Sequence, residues 1–141
     1  MRTLMAAALV AALLSGCDPG SKTNPVNRLN VKDKGAREKA AEELVAQGKD
    51  AVPAVIDLMQ RGDLTDAMTS AGILARIGGP SVEPLEAYVK DGSKKNRGWA
   101  CWALGEIGPA AKDALPALKA AEKEASLRNV AAEAIAKIEK R

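Results

Sequence analysis

One motif recurs along most of this chain every 30 or 31 residues, and it limits the possible folds more than any other feature. The motif is an arginine followed seven positions later by an aliphatic residue, a spacing of about two helical turns. Its copies are Arg37 with Leu44, Ala67 with Leu74, Arg97 with Leu104, and Arg128 with Ile135. Alanine replaces arginine in the second copy. Such a period indicates a unit of two helices that stacks on its own copies.

A second apolar element alternates with the first. Its prolines lie 31 and 32 residues apart, at Pro53, Pro84 and Pro116. Proline suits the first turn of a helix, where its missing N–H has no partner to lose. Gly78 and Gly108 are expected to end the arginine helices. The residues expected to cap the proline helices are Asp50, Ser81 and Asp113.

These units resemble the HEAT-like repeats of bacterial proteins, the short variety that is also found in phycobilin lyases. The resemblance covers residues 36–141 and is most specific from Arg97 to Gly108. It implies an all-α fold, an α-solenoid of about 3.5 HEAT-like helical hairpin repeats with about seven helices in a right-handed superhelix. The family typically has an acid six residues before the arginine. The structural ladder that this implies here consists of Asp91, Arg97, Glu122 and Arg128.

Composition excludes several classes of site. The chain has no histidine, so it lacks a Ser-His-Asp or Cys-His catalytic pair and a histidine metal site. Aromatic residues make up only 2% of it, which favours helices over a β-sandwich. A net charge of +3 is too small to indicate nucleic-acid binding. We therefore expect a protein that is not an enzyme and holds no cofactor or metal.

The first 16 residues have the pattern of a bacterial lipoprotein signal peptide. An unbroken apolar run covers residues 4–14, which as a helix is roughly 16 Å long and too short to span a bilayer. Leu14-Ser15-Gly16-Cys17 resembles a lipobox. This resemblance implies cleavage before Cys17 and attachment of lipid, including acyl chains such as palmitate, to that residue.

Residues 17–35 are expected to form a lipid-anchored flexible tether, since proline, glycine and asparagine interrupt every period. Within it, Val26, Leu29 and Val31 are candidates for a short cap on the first helix. Asp18 resembles a signal for retention in the inner membrane of some Gram-negative bacteria. The expected location is the bacterial cell envelope, anchored to a membrane and facing the periplasm. Cys101, left without a partner, is expected to be a small buried hydrophobe.

The second helix of each pair lines the concave face in solenoids of this kind, and it supplies the candidate binding residues. Trp102 has two interpretations, a binding anchor or a packing residue that covers a helix seam. Trp99 is expected to belong to the core. The candidate partner-binding residues are Trp102, Met68, Glu42, Arg76, Glu106 and Glu133.

The favoured hypothesis is a membrane-anchored, non-enzymatic scaffold that binds an unknown envelope protein or peptide on its concave face. The alternative is an enzyme or chromophore-handling protein related to phycobilin lyases, although those act in the cytoplasm. Nucleic-acid binding, known for HEAT-like DNA glycosylases, needs a basic concave face, whereas the face here is of mixed charge.

Overall fold

The computed structural model describes residues 24–140, and this part of the chain is helical, without strands. The predicted signal peptide, Cys17 and Asp18 lie outside the described residues. In this part of the chain seven α-helices of seven residues or more follow a one-turn α-helix, α1. The helices are α1 (Pro25–Arg28), α2 (Lys34–Gln47), α3 (Val52–Arg61), α4 (Leu64–Ile77), α5 (Val82–Lys90), α6 (Arg97–Ile107), α7 (Leu115–Ala121) and α8 (Arg128–Glu139). Between residues 24 and 140 no helix is long and apolar enough to cross a membrane.

The helices form three hairpins, α3–α4, α5–α6 and α7–α8, stacked in chain order after α2. We call the helices that carry the arginine motif B helices (α2, α4, α6 and α8) and the others A helices (α3, α5 and α7). Helix α1 packs on α2, where a further A helix would stand. The predicted solenoid of about 3.5 repeats is therefore confirmed. Successive B helices contact each other more extensively than successive A helices, as expected on the inner side of a curved stack.

The hydrophobic core follows the repeat. Leu44, Leu74 and Leu104, all in the same repeat position, are at most 2% exposed. Their equivalent Ile135 is half-buried, because no further repeat covers the last B helix. The core also contains Cys101, which is fully buried, as predicted.

The helices begin and end by local chemistry that the sequence predicted only in part. Gly48, Gly78 and Gly108 end α2, α4 and α6 with positive φ angles of 59°, 78° and 75°. A 3-10 helix follows at each glycine and is separated from the next A helix by at most one residue. The predicted caps at Asp50 and Asp113 are therefore wrong, because the N-cap residues of α3 and α7 are Ala51 and Ala114. Ser81 is the N-cap residue of α5, as predicted, but its side chain makes no capping hydrogen bond.

Side-chain caps occur instead on the B helices α2 and α4. Asp33 accepts hydrogen bonds from the backbone N–H groups of Gly35 and Ala36 at 2.7 and 3.2 Å. Asp63 and Asp66 form a reciprocal capping box at the start of α4. Carboxylates here also oppose the positive end of the helix dipole.

The repeat domain begins earlier than predicted. Val26 and Leu29 are each 5% exposed in the core, whereas Val31, predicted to dock with them, is 37% exposed. Arg28 forms a two-pronged ion pair with Glu43 on α2. Residues 24–29 thus cap the open end of the stack, since an end repeat needs a cover for its apolar face. Of the predicted flexible tether, residues 17–35, residues 24–29 are thus packed on the domain, whereas residues 30–35 are exposed.

Candidate functional site

The candidate site is the face formed by the B helices, and its most distinctive part is an apolar groove between α6 and α8. The groove has a volume of about 500 Å³. Helix α6 supplies Gly98, Trp99 and Trp102, while α8 and the residues before it supply Leu127 and Val130. The groove lies where two neighbouring repeats pack, with Gly98 on α6 facing Val130 on α8. A Cβ at Gly98 would lie 3.8 Å from Cγ1 of Val130. Glycine at position 98 leaves that space open.

The two tryptophans lie together at the groove. Their ring centroids are 5.8 Å apart and the planes are inclined by 76°, an edge-to-face arrangement that aromatic pairs favour. Both rings are half-buried and pack against the core. Trp99, expected in the core, thus lines the same open groove as Trp102. Trp102 also covers the seam between α6 and α8 beside Gly105, which agrees with the packing interpretation. Its role as a binding anchor stays a prediction.

Helix α4 carries two further exposed apolar side chains on the B-helix face. Leu64 and Met68, one turn apart on that helix, are 68% and 50% exposed. Met68 occupies the repeat position of Gly98, and Trp99 that of Val130, one repeat apart. Gly98 faces Val130, so by equivalence of the repeats we infer that Met68 lies on the side of α4 that faces Trp99. We call Leu64, Met68, Trp99, Trp102 and Val130 the apolar stripe; it crosses three successive B helices.

The charged candidates on this face are mostly engaged in ion pairs between neighbouring helices. Arg76 lies 3.7 Å from Glu38 on α2. Lys137 on α8 pairs with Glu106 on α6 and lies 3.3 Å from Glu133. These contacts are exposed and so contribute little stability, but they occupy Arg76, Glu106 and Glu133. Glu42 is exposed and forms no ion pair within residues 24–140.

The predicted ladder has the wrong partners. Arg97 donates from Nε and Nη2 to the Val89 carbonyl oxygen at 2.9 and 2.5 Å, and from Nη1 to Glu124 at 2.7 Å. The Asp91 carboxylate accepts hydrogen bonds from the Ser93 N–H and hydroxyl instead, at 3.0 and 2.6 Å, in a local turn. Those bonds, chiefly the one from the hydroxyl, lower the pKa of Asp91.

Glu122 and Arg128, the second predicted rung, form no ion pair with each other in the described part of the chain. Arg128 is exposed, while the equivalent Arg97 has a side chain only 12% exposed. Arg97 joins the end of α5 to the segment before α8, and so fixes the residues around the groove. The hydrogen bond to Glu124 is the main cause that raises the pKa of Arg97.

The loop before α6 is held by residues that sequence reasoning missed. The Tyr88 hydroxyl lies 2.5 Å from the Lys95 carbonyl oxygen and 2.8 Å from Gln60 Oε1, which also accepts the Lys95 N–H at 3.0 Å. Asn96, in a left-handed conformation with φ 60°, donates from Nδ2 to the Met59 carbonyl oxygen at 3.0 Å. Burial raises the pKa of Tyr88 to about 12. This loop forms one end of the groove. The tyrosine within the second apolar element was the sequence feature that could have indicated its role in holding the loop.

Cys101 lies on α6 beneath the groove but is not part of its lining. Its side chain is fully buried, and burial raises the pKa of the thiol to about 11. A nucleophilic cysteine requires access and a lowered pKa, so Cys101 has the properties of a packing residue. Within residues 24–140 no group of acidic or cysteine side chains is arranged to hold a metal ion.

Comparisons with known proteins agree with this architecture. A family model described as HEAT repeats matches residues 65–136, half of the chain. The complex of CpcE and CpcF of phycocyanin lyase from Nostoc sp. PCC7120 is similar in structure, with a TM-score of 0.55 and 21% sequence identity. The match covers 81% of this chain and 75% of that one, and at this identity it shows a common fold. No curated protein sequence matches the chain. The chain belongs to the HEAT repeat family.

Proposed function

We propose that this protein is a lipid-anchored interaction module of the bacterial cell envelope, which binds a partner protein on its B-helix face without chemical turnover. The observation that carries the proposal is the apolar stripe. Large apolar side chains on the surface of a folded domain are typical of binding sites when they form one patch. Tryptophan in particular is enriched among the residues that dominate binding energy.

The surroundings of the stripe support a protein partner. Ion pairs such as Arg76–Glu38 and Lys137–Glu106 join neighbouring B helices beside the apolar residues. Exposed charges around an apolar centre are the usual arrangement in protein interfaces. The structurally similar phycocyanin lyase protein is itself part of a complex of two different chains. That assembly supports the use of this fold for protein binding here.

The membrane anchor is proposed from the sequence. The lipobox-like segment ending at Cys17 follows an apolar run of secretory length. The proposed location is a membrane of the cell envelope, with the domain facing the periplasm and the inner membrane favoured by Asp18. Mass spectrometry of the protein purified from membranes tests this directly. We expect a mature chain that begins at acylated Cys17, and a Cys17→Ser variant that is released from the membrane. An uncut leader would contradict the proposal.

Affinity capture from solubilised envelope, with wild type compared against Trp102→Ala, tests partner binding. We expect one protein to be recovered with the wild type, lost with the variant, and to bind again when both proteins are purified. Because Trp102 also packs on the core, truncation is expected to lower stability, so capture is measured at a temperature where both proteins are folded. Ala87→Ser, on the exposed side of α5, is the matched control. Equal recovery by all three proteins would contradict the proposal.

The alternative is that the groove takes up a small apolar ligand or chromophore. Its volume of about 500 Å³ lies in the range of small-molecule sites, which favours testing this use as well. Titration with biliverdin, followed by its visible absorption, distinguishes the two functions. Saturable, Trp102-dependent uptake or conversion of biliverdin supports the alternative, and its absence leaves the interaction module as the proposal.

A further inference from the structure

The residues around the α6–α8 groove have a consistent positive bias. Residues 95–97 and 122–128 lead into α6 and α8 at this end of the groove, whose lining includes Asn96, Arg97, Ser126 and Leu127. They contain four basic side chains, Lys95, Arg97, Lys123 and Arg128, and two acidic ones, Glu122 and Glu124. Asp91 and Lys94 line a separate pocket between α3 and α5. Arg97 and Glu124 pair with each other, so the remaining rim has Lys95, Lys123 and Arg128 against a single acidic residue, Glu122.

The helix ends add the same sign of charge. Gly98 faces Leu127 and Val130, while Gly105 faces Ala134, so α6 and α8 run parallel with both N-termini at this end. Helices α2 and α4 begin with an aspartate cap, whereas α6 and α8 begin at Asn96 and Leu127 without a side-chain cap. The partial positive charge at these two N-termini is thus not offset by a capping carboxylate.

We infer that the stripe and its basic rim bind an extended acidic segment of the partner protein, with a large apolar side chain seated between Trp102 and Val130 and carboxylates at the rim. The inference rests on the proposed function and specifies the chemistry of its partner. Apolar groove and cationic rim together select a segment in which leucine or an aromatic residue adjoins aspartate or glutamate.

The geometry of the stack also sets the length of that segment. Neighbouring packed helices lie about 8–10 Å apart, so the stripe from α4 to α8 extends over about 16–20 Å. An extended chain covers this distance with about six residues at roughly 3.3 Å each. The segment crosses the B helices, with one side chain in the α6–α8 groove and another near Met68 and Leu64.

Tryptophan fluorescence provides a local readout, because both tryptophans of the chain line the groove. The probe is a synthetic eight-residue peptide of alternating glutamate and leucine, and its matched control has glutamine in place of every glutamate. We expect a saturable shift of the emission to shorter wavelength with the acidic peptide and at least about tenfold weaker binding of the glutamine peptide. Raising the salt concentration is expected to weaken only the acidic peptide.

Two pairs of variants test the groove and the rim separately. Gly98→Leu is expected to fill the groove and abolish binding, whereas Gly98→Ala, whose Cβ fits, retains it. Lys95→Glu combined with Lys123→Glu is expected to weaken binding about tenfold, while Lys49→Glu with Lys112→Glu makes the same charge change away from the rim and has little effect. If Gly98→Leu fails to fold, the charge variants still test the inference. All four lysines are exposed, so their replacement is expected to leave the fold intact.

Equal affinity for the acidic and glutamine peptides would overturn the inference. Unchanged tryptophan emission with about 1 mM acidic peptide would also overturn it, because that concentration half-saturates even a site with a Kd of about 1 mM. A shift produced only by vesicles of anionic phospholipid would overturn it in favour of a lipid surface. The proposed function is tested separately, by Trp102-dependent capture of an envelope protein. Capture without peptide binding contradicts the acidic segment alone.

Discussion

At the scale of single residues, glycines on the B helices serve two different purposes. A Cβ at Gly105 would lie 2.8 Å from Cα of Ala134, so this glycine allows α6 and α8 to approach closely. A Cβ at Gly72 on α4 would meet nothing within 4 Å. The same residue type thus determines packing at one position and merely leaves open surface at the other.

The pair predicts opposite effects of one substitution. Gly105→Ala is expected to lower the free energy of unfolding by about 1–3 kcal/mol, because backbone atoms of α8 must shift. Gly72→Ala is expected to raise it by about 0.5–1 kcal/mol, through the smaller backbone entropy of alanine. Urea unfolding of both variants measures the difference. Equal effects would show that α6 and α8 are not in close contact.

The buried thiol of Cys101 gives a second prediction at this scale. With its pKa raised to about 11 and no access to solvent, it is expected to react with a thiol reagent only through opening of the fold. In a Cys17→Ser protein, labelling under native conditions is expected to be about 100-fold slower than in urea, or slower still. Rapid labelling of the folded protein would contradict the packing of α6.

At the scale of helices, Arg97 links three elements through one guanidinium. It satisfies the Val89 carbonyl at the end of α5, starts α6, and pairs with Glu124 before α8. Arg97→Met is expected to lower the free energy of unfolding by about 1.5–3 kcal/mol, because a carbonyl near the helix end loses a charged partner. Arg128→Met, at the exposed equivalent position, is the control and is expected to change it by less than about 0.5 kcal/mol. Thermal or urea unfolding that ranks the two variants equally would contradict this role.

The ion pairs of the helices also predict acid sensitivity. Hydrogen bonds from Arg28 and Arg97 lower the pKa values of Glu43 and Glu124 in the folded state. Each pair therefore stabilises the fold above the unfolded glutamate pKa of about 4.3, and its contribution is lost as pH falls through the lower folded value. We expect the urea concentration at the midpoint of unfolding to decrease as the pH is lowered below about 5. In the double variant Glu43→Gln with Glu124→Gln this decrease is expected to be less steep. Identical pH profiles would exclude these pairs as a source of acid sensitivity.

At the scale of the whole molecule, repeat spacing was sufficient to predict the hairpins, their number and their stacking. Equivalent positions such as Leu74 and Leu104 are buried alike, because each repeat covers its neighbour. The caps at Asp50 and Asp113 failed because 3-10 helices join the elements and provide the missing backbone contacts. The predicted partner of Arg97 was wrong because Glu124 lies in the next loop, whose course depends on tertiary packing.

In the sequence, Trp102 was the only residue that indicated a site at the position of the groove. Its neighbours Leu127 and Val130 come from the following repeat, 25 and 28 residues later, and sequence periodicity indicates which helix they belong to but not how far apart the helices stand. The opening at Gly98 results from that separation. Residue identity thus predicts which face carries the candidate site, whereas the depth of the groove depends on how the helices pack.

Photocrosslinking in intact cells tests whether the B-helix face binds a partner protein. A photoreactive amino acid is placed at Met68 on that face or, as the control, at Ala87 on α5, both exposed in the free domain. After irradiation of intact cells, we expect a discrete crosslinked species with the Met68 probe that is absent with the Ala87 probe and in the Met68-probe protein carrying Trp102→Ala. The same crosslinked species with the Ala87 probe, or its persistence without Trp102, would contradict the account.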